Sequence, residues 1–355
     1  MTVTLRLRAE ASRLETESVR SVIAQVASIW RGGGTVAFPT ETVYGLGAHA
    51  LDPAAIKAIF EAKQRPAWDP LIVHVADRSM LRSVVAEVPP PAEQLMEEFW
   101  PGPLTLLLPR TDRVPDAVTA GRRLVGVRMP AHPVAHALID AAGLPVAAPS
   151  ANSFGRISPT TAEHVLEDLD GRIDAVVDSG PTLHGVESTV VDASQLPMIV
   201  YRPGAIPIEQ LRAVIGDVVV HRDESAGERE ASAPPETLPS PGVGIRHYAP
   251  RAKVWLCEQW TGDLGKLLEG VGQALAGNGR RVFYMLPEGV EIAAREDEVF
   301  HWGTWEDLAE LAQRLFLGLR ELDRRGATDI VCPLPPEEGI GAAIRDRLRR
   351  AARLK

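Results

Sequence analysis

Residues 32–74 read GGGTVAFPTETVYGLGAHALDPAAIKAIFEAKQRPAWDPLIVH, and this stretch decides how the chain folds. It holds two apolar runs, 35–38 and 71–75, and between them Asp52 and Pro53 predict the N-cap and first turn of a helix over 54–62. A strand, a helix and a strand in this order predict an α/β unit. Glycines and polar side chains crowd the ends of these elements, so we expect loops built around a ligand there.

The same alternation continues on both sides of this stretch. A helix is predicted over 18–30, and Gly32 is expected to end it with a positive φ. Apolar patterns predict further elements downstream. The predicted helices cover 92–99 and 134–142, and the predicted strands cover 104–108, 124–128, 146–148, 175–178, 188–192 and 198–202.

The length of 355 residues favours two domains, because single cores stop growing at roughly 250–300 residues. Residues 222–250 are rich in Pro, Ser, Gly and charge and predict a linker. Three strand-and-helix pairs follow and predict a small parallel sheet. We therefore expect a first domain over 1–207 with its core at 18–207, a helix and linker over 208–250, and an α/β domain over 251–355.

Composition and charge exclude several classes of protein. No segment approaches the roughly 18 apolar residues of a spanning helix and the N-terminus lacks an apolar signal, which predicts a cytoplasmic protein with no membrane partner. Cys257 and Cys332 are too few and too distant for a disulfide framework or a zinc site, and are expected to be buried core residues. The net charge of −9 is evenly spread, since residues 1–207 hold 18 Lys and Arg against 23 Asp and Glu. This argues against a basic nucleic-acid module but leaves a local basic groove open.

Three groups of polar residues stand at the ends of predicted elements. Lys63 and Arg65 end the helix over 54–62, where cations commonly suit the helix dipole, but the strand–helix–strand geometry also brings them near Thr40 and Thr42. Such an edge suits polyphosphate recognition.

The second group is APSANSFGRISPTT, residues 148–161, directly after a predicted core strand. Ser150, Asn152 and Ser158 supply hydroxyl and amide groups there, and Thr161 is expected to cap the next helix. A serine-rich stretch is often only a turn, but a turn that runs from a strand into a helix can seat a phosphate or an adenosine.

In the third group, Ser188 opens one predicted strand, and Arg128 and Arg202 close two others, which is where ligands collect in open α/β sheets. Together the arginines indicate an anionic ligand. The sequence contains no GxSxG or HExxH motif, so we predict no covalent nucleophile and no protein-held metal. This chemistry fits phosphoryl or nucleotidyl transfer, which works by positioning and charge neutralisation.

Taken together, these motifs resemble the YrdC-like family. The matching segments are PTETVYGLG, KxRP with PLIVH, PGPLTLLLP, VRMP, APSAN with SPT, ESTVVD and RPG. With SPG and HYAP in the linker, the chain resembles the two-domain threonylcarbamoyl-AMP synthases of that family. The resemblance implies a twisted open mixed sheet with flanking helices, followed by a small Rossmann-like α/β domain.

The resemblance also implies an enzyme that joins L-threonine, bicarbonate and ATP into threonylcarbamoyl-AMP and releases pyrophosphate. The product would pass to tRNA threonylcarbamoyl transferase machinery that modifies tRNA beside the anticodon, with weak tRNA contact left open. Mg²⁺ is expected on the ATP phosphates. The implied threonine-binding residues are Thr42, His74, Arg128, Ala148 and Ser188. The implied ATP-binding residues are Lys63, Arg65, Asp69, Ser150, Asn152, Ser158, Arg202 and Tyr248.

Asp69 departs from the family pattern, which usually has Asn before PLI. We expect it to contact Mg²⁺, to pair with Arg65, or to bind ATP directly. Tyr248 lies in the linker motif and is expected to close over the nucleotide as a lid. His74 is the candidate general base by residue type, although its place in a strand fits ligand orientation better.

Two other functions stay open at this point. One is a double-stranded RNA binding or ribosome-maturation module, because folds of this family can present a concave basic face. The other is a carbamoyl-transfer enzyme, because similar domains occur in such proteins.

Overall fold

The computed structural model describes residues 3–221, 247–258, 262–277 and 279–353. The described residues form two compact units. The first comprises residues 3–154, 158–183 and 187–221, and the second comprises 155–157, 184–186 and all described residues from 247 onward. The predicted linker lies largely outside the described residues.

The first unit is a mixed sheet with helices on both faces. Its strands are β1 (Leu5–Arg8), β2 (Val36–Phe38), β3 (Gly45–His49), β4 (Ile72–His74), β5 (Leu104–Pro109), β6 (Leu124–Arg128), β7 (Val146–Ala147), β8 (Ala175–Asp178), β9 (Thr189–Asp192), β10 (Met198–Arg202) and β11 (Val218–Val220). Its helices are α1 (Glu17–Arg31), α2 (Pro53–Lys63), α3 (Arg78–Leu81), α4 (Pro90–Phe99), α5 (Asp116–Thr119), α6 (Pro133–Ala142), α7 (Ala162–Leu169) and α8 (Ile208–Ile215).

The strand order in this sheet is β1-β8-β2-β3-β7-β4-β6-β5-β9-β10-β11, so β1 and β11 form its edges. Strands β4 and β6 run parallel, and β7 lies antiparallel to β4 on its other side. The register places His74 between Arg128 of β6 and Val146 of β7. Chain reversals between neighbouring strands therefore bring residues from distant parts of the sequence together at the centre of the sheet.

Two core layers cover the two faces of this sheet. Successive residues of β2 point into opposite layers, as the two-residue period of a strand requires. Ala37 lies in one layer, and Val36 and Phe38 lie in the other. Helices α2, α4, α7 and α8 contribute to the first layer. Helices α1 and α6 contribute to the second, where Trp30 of α1 is fully buried.

The second unit is a smaller, all-parallel sheet in the order β12-β15-β13-β14. Its elements are β12 (Lys253–Cys257), α9 (Leu264–Leu275), β13 (Val282–Pro287), β14 (Val299–Gly303), α10 (Leu308–Arg324), β15 (Asp329–Pro333) and α11 (Gly341–Ala352). Both cysteines are buried, as expected. The mixed sheet with flanking helices and the small parallel domain confirm the predicted fold class.

Local predictions were confirmed where the capping chemistry is explicit. Asp52 accepts a hydrogen bond from the backbone of Ala54 at the start of α2, and Thr161 caps α7 through His164. The prediction for Gly32 was wrong, because its φ is −82° and the positive φ of 81° falls on Gly33. Helix α1 thus ends in one further residue of near-helical backbone before the chain reverses.

Four strands were not predicted from the sequence. β1 and β11 are edge strands, and β1 is largely exposed, so its pattern LRLR shows no buried run. β14 is also at an edge. β3 contains Gly45 and Gly47, and glycine is depleted in strands because it adds no side chain to pack. A Cβ on Gly47 would lie 2.8 Å from Phe38 and Val146 and 2.9 Å from Trp30, so neighbouring side chains fill the space that its own would need.

Replacing Gly47 by valine should therefore lower stability by roughly 1–3 kcal/mol, the usual cost of overpacking a core. Thermal unfolding of Gly47→Val should show a clearly reduced melting temperature. The control is Gly143→Asn, because Gly143 has a φ of 67° that asparagine tolerates, and a Cβ added there would meet no atom within 4 Å. Equal melting temperatures for Gly47→Val and the wild type would contradict the packing argument.

Candidate active site

The guanidinium of Arg128, at the end of β6, is the centre of one polar group. Its Nε donates to the carbonyl of Gly102 at 3.1 Å, and its Nη1 donates to Oγ1 of Thr42 at 2.9 Å. Its Nη2 lies 2.6 Å from Oε1 of Glu41. Two separate segments thus hold one buried cation, and the loop between β2 and β3 supplies two of its three partners.

The donor and acceptor roles of the two threonine hydroxyls in this loop follow from their contacts. Oγ1 of Thr40 donates to the carbonyl of Val43 at 2.6 Å, which uses its single proton. Oγ1 of Thr40 also lies 2.8 Å from Oγ1 of Thr42, so Thr42 is the donor in that contact. Thr42 therefore gives its proton to Thr40 and accepts one from Arg128, and its remaining lone pair can only accept. A ligand at Thr42 has to present a hydrogen-bond donor.

His74, at the end of β4, belongs to the same group. It lies opposite Arg128 in the register of β4 and β6, and its ring meets the Phe38 ring edge to face at 6.2 Å. Burial, together with the nearby Arg128 charge, lowers the pKa of His74 to about 3 even though Glu41 acts in the opposite sense. The imidazole is therefore neutral near pH 7, which suits a hydrogen-bonding role.

Lys63 is the centre of a second group. It is the last residue of α2, yet it is buried, and its Nζ donates to the carbonyl of Ser150 at 2.6 Å and to that of Asn152. Burial and the charge of Arg65 hold the pKa of Lys63 well below its ordinary value, although Asp69 raises it. The alternative of a solvated helix end is wrong for this lysine.

Arg65 and Asp69 form a buried ion pair, with Nη2 of Arg65 2.9 Å from Oδ2 of Asp69. Arg65 also donates to the carbonyls of Asp69 and Pro70 at 3.1 and 2.7 Å. Burial raises the pKa of Asp69, while the charges of Arg65, Lys63 and Arg202 act to lower it. The structure thus realises the expected pairing with Arg65, and it places three cations around one carboxylate.

Arg202, at the end of β10, brings this second group to Ser188. Its Nε and Nη2 donate to the carbonyl of Ser188 at 3.1 and 3.0 Å, and Nη2 also lies 3.1 Å from Oγ of Ser188. That hydroxyl is 2.8 Å from Oγ1 of Thr105 in β5. Gly102, which holds Arg128, lies in the turn just before β5, so the two groups are neighbours across one strand.

The remaining predicted residues occupy the loop after β7. The backbone amide of Ala148 donates to the carbonyl of Ile72 at 2.9 Å, which fixes the loop against β4. Ser158 is fully buried, and its Oγ donates to Oε1 of Glu187 at 2.6 Å. The loop therefore lies beside Lys63 at Ser150 and Asn152. Ser158 is hydrogen-bonded to Glu187, the residue before Ser188.

Tyr248 lies in the second unit. It is 1% exposed, its φ is 61°, and its ring stacks on Phe316 with the guanidinium of Arg347 over it at 5.0 Å. Its role at the nucleotide stays a prediction.

Sequence reasoning assigned no role to Glu41, Thr105 or Glu187, although each contacts a predicted site residue. Glu41 and Glu187 stand next to Thr42 and Ser188 within their motifs, and this adjacency was the only signal available. Thr105 sits inside the apolar strand PLTLLLP, where one threonine has no distinguishing pattern.

Within the described residues, no cluster of three or more His, Cys, Asp or Glu side chains could hold a metal ion. Asp69 is a single carboxylate among three cations, and Mg²⁺ commonly binds through one or two carboxylates and substrate phosphates. Because Asp69 is already paired with Arg65, Mg²⁺ bound to substrate phosphates stays a prediction. In the described part of the chain, none of the helices combines the length and apolarity needed to cross a membrane.

Comparison with known proteins covers nearly the whole chain. The Sua5, YciO and YrdC family model, described as telomere recombination, matches residues 28–204. A model described as the C-terminal domain of threonylcarbamoyl-AMP synthase matches residues 206–353. The threonylcarbamoyl-AMP synthase of Pyrococcus abyssi is 42% identical over 99% of this chain and 98% of its own length. The Bacillus subtilis enzyme of the same name is 44% identical over 93% of this chain and 92% of its own length.

A solved structure agrees with these matches. The crystal structure of P. abyssi Sua5 in complex with L-threonine superposes with a TM-score of 0.86 at 40% identity, covering 99% of this chain and 98% of that one. The two family models and the two-domain fold place the chain among the two-domain proteins of the YrdC-like family. The chain belongs to the threonylcarbamoyl-AMP synthase family, and it is an enzyme that makes threonylcarbamoyl-AMP.

The low pKa of His74 predicts a pH dependence of stability. In the unfolded chain a histidine with the ordinary pKa of 6.5 takes up a proton as the pH falls, whereas folded His74 stays neutral down to about pH 3. Its contribution is therefore complete above pH 6.5 and is lost progressively between 6.5 and 3. The melting temperature of His74→Phe should fall less between about pH 7.5 and about pH 5 than that of the wild type.

His301→Asn is the control, because His301 is exposed on β14. It should leave the wild-type pH profile unchanged. Identical profiles for His74→Phe and the wild type would show that His74 is not held neutral by the fold.

Proposed function

We propose that this enzyme joins L-threonine, bicarbonate and ATP into threonylcarbamoyl-AMP with release of pyrophosphate, for the threonylcarbamoyladenosine modification of tRNA beside the anticodon. One observation carries the proposal: Lys63, Arg65 and Arg202 are all buried and all act electrostatically on Asp69. Three cations gathered near one carboxylate in a region of low dielectric would attract a polyanion strongly. A triphosphate is a ligand that fits such a cluster of cations.

The Arg128 group suits the amino acid. Arg128 would bind the threonine carboxylate as a charge-assisted fork. The free lone pair of Thr42 can only accept a hydrogen bond, so Thr42 would face the amine or the hydroxyl of threonine. Neutral His74 would orient the bound threonine. Ser188 lies between this group and Arg202, and Ala148 fixes the neighbouring loop.

The Lys63 group suits ATP. Ser150 and Asn152 already direct their carbonyls to Lys63, and their side chains, with that of Ser158, would contact the nucleotide. Mg²⁺ bound to the phosphates would neutralise part of their charge, and Asp69 is the carboxylate available to it.

The arrangement explains how two anions can react. Carboxylation of the threonine amine gives a carbamate, whose oxygen attacks the α-phosphorus while pyrophosphate leaves. Both reactants are negatively charged, so the barrier falls when fixed cations offset the repulsion and hold an in-line geometry. Arg202 contacts Ser188, and Arg128 contacts Gly102 just before the strand of Thr105, so each reactant would have one of these cations close to it.

The product is consumed by tRNA threonylcarbamoyl transferase machinery in the cytoplasm, where ATP and tRNA are available. The enzyme also makes a weak direct contact with tRNA. Catalysis belongs to residues 1–207, residues 208–250 connect the domains, and residues 251–355 support or gate catalysis. All the assigned residues come from the first of these segments except Tyr248, which would close over the nucleotide from the connecting segment.

Incubation of the full-length protein with ATP, Mg²⁺, L-threonine and bicarbonate should give pyrophosphate and an adenylate of the mass of threonylcarbamoyl-AMP. Omission of threonine should abolish both. Absence of a threonine-dependent adenylate would contradict the proposed function. A carbamoylated product from carbamoyl phosphate, or a salt-sensitive RNA complex without ATP turnover, would instead favour one of the two other functions.

Substitution of Lys63 by methionine keeps most of the side-chain volume but removes the charge. We expect the KM for ATP to rise roughly tenfold or more, since a charge-assisted contact to phosphate is lost, while the KM for threonine changes little. Lys57→Met is the matched control, because Lys57 lies on the same helix with a side chain that is 75% exposed. An equal effect of both substitutions would rule out a specific role for Lys63.

A further inference from the structure

Glu41 is a buried carboxylate in the amino-acid part of the site, between Thr40 and Thr42. It has no place in the threonine or ATP contacts described above. Burial by itself would raise the pKa of Glu41, but the adjacent Arg128 guanidinium outweighs it and holds the pKa below its ordinary value. Glu41 is thus an ionised carboxylate in a region where burial of a charge is costly unless the charge is paired.

The contacts of Arg128 show what this carboxylate does. A guanidinium has five N–H groups. Contacts to Gly102, Thr42 and Glu41 engage Nε, Nη1 and Nη2 respectively. The contacts to Gly102 and Thr42 are hydrogen bonds, whereas Nη2 meets Glu41 as an ion pair, so N–H groups remain on both terminal nitrogens. An end-on fork to a carboxylate is built from such a pair of nitrogens.

Glu41 is the one anionic partner among these three contacts. The carbonyl of Gly102 and the hydroxyl of Thr42 are neutral, so they direct Nε and Nη1 without balancing the charge. The carboxylate fixes Nη2 at 2.6 Å and supplies that balance. Without it, Nη2 loses its partner, the guanidinium keeps only neutral contacts, and neighbouring His74 faces an unbalanced cation.

We propose that Glu41 is a positioning residue for the amino-acid substrate: it holds the Arg128 guanidinium with its terminal N–H groups toward the carboxylate of threonine. Glu41 acts through Arg128 and not by contact with the substrate. This inference rests on the proposed function, because it takes an α-carboxylate as the ligand of Arg128. It also separates the two substrates, since the ATP group centred on Lys63 has its own carboxylate, Asp69.

Glu41→Gln tests this role, because glutamine keeps the size and removes the charge. Initial rates of pyrophosphate release should show the KM for threonine raised roughly tenfold or more, with the KM for ATP within about twofold of wild type. Glu41→Asp keeps the charge on a shorter side chain and should recover part of the affinity for threonine. Glu93→Gln is the control, because its partner Arg78 is 42% exposed and it should match the wild type.

The outcomes separate this inference from the proposed function. If the wild-type protein makes no threonine-dependent adenylate, both are wrong. If the wild type is active and Glu41→Gln leaves the KM for threonine unchanged, or raises both KM values equally, the positioning role alone is wrong. Should Glu41→Gln not fold, the same two measurements on Glu41→Asp decide, because a selective rise in the KM for threonine supports positioning and an equal change in both contradicts it.

Discussion

The buried ion pair between Arg128 and Glu41 is the interaction on which the site depends. A lone guanidinium at the centre of a sheet would be strongly destabilising, and the loop between β2 and β3 brings the matching carboxylate. That requirement shapes the loop: Glu41 reaches Arg128, and the flanking threonines become oriented hydroxyls. Strand β5 then connects this pair to Ser188 and Arg202. The same few side chains therefore balance the buried charge and line the proposed amino-acid site.

Much of the fold and part of the candidate site were predictable because they depend on interactions between residues that are close in the sequence. Asp52 followed by Pro53 marks a helix start, and the apolar runs of β5, β6 and β10 mark buried strands. Arg128 and Arg202 at strand ends were recognisable by position. The pairing of Arg65 with Asp69 was also accessible, since the two residues are four apart.

The rest depended on distant contacts. The edge strands β1 and β14 are held by hydrogen bonds to β8 and β13, and their own side-chain patterns do not reveal this pairing. β3 is a strand despite two glycines because Trp30, Phe38 and Val146 fill the volume over Gly47. The partnership of Glu41 with Arg128 joins the loop between β2 and β3 to β6, and only the fold brings those segments together. A motif can place a residue near a site without revealing what it holds.

The environment of Lys63 and Asp69 has a consequence for how the protein exchanges protons with water. Burial shifts the pKa of the lysine down and that of the aspartate up, so each group is pushed toward its neutral form before any nucleotide arrives. A polyanion placed beside the lysine favours its charged, protonated form. Anion binding at this position is consequently coupled to the protonation of Lys63. Such coupling makes the heat of binding depend on the ionisation enthalpy of the buffer.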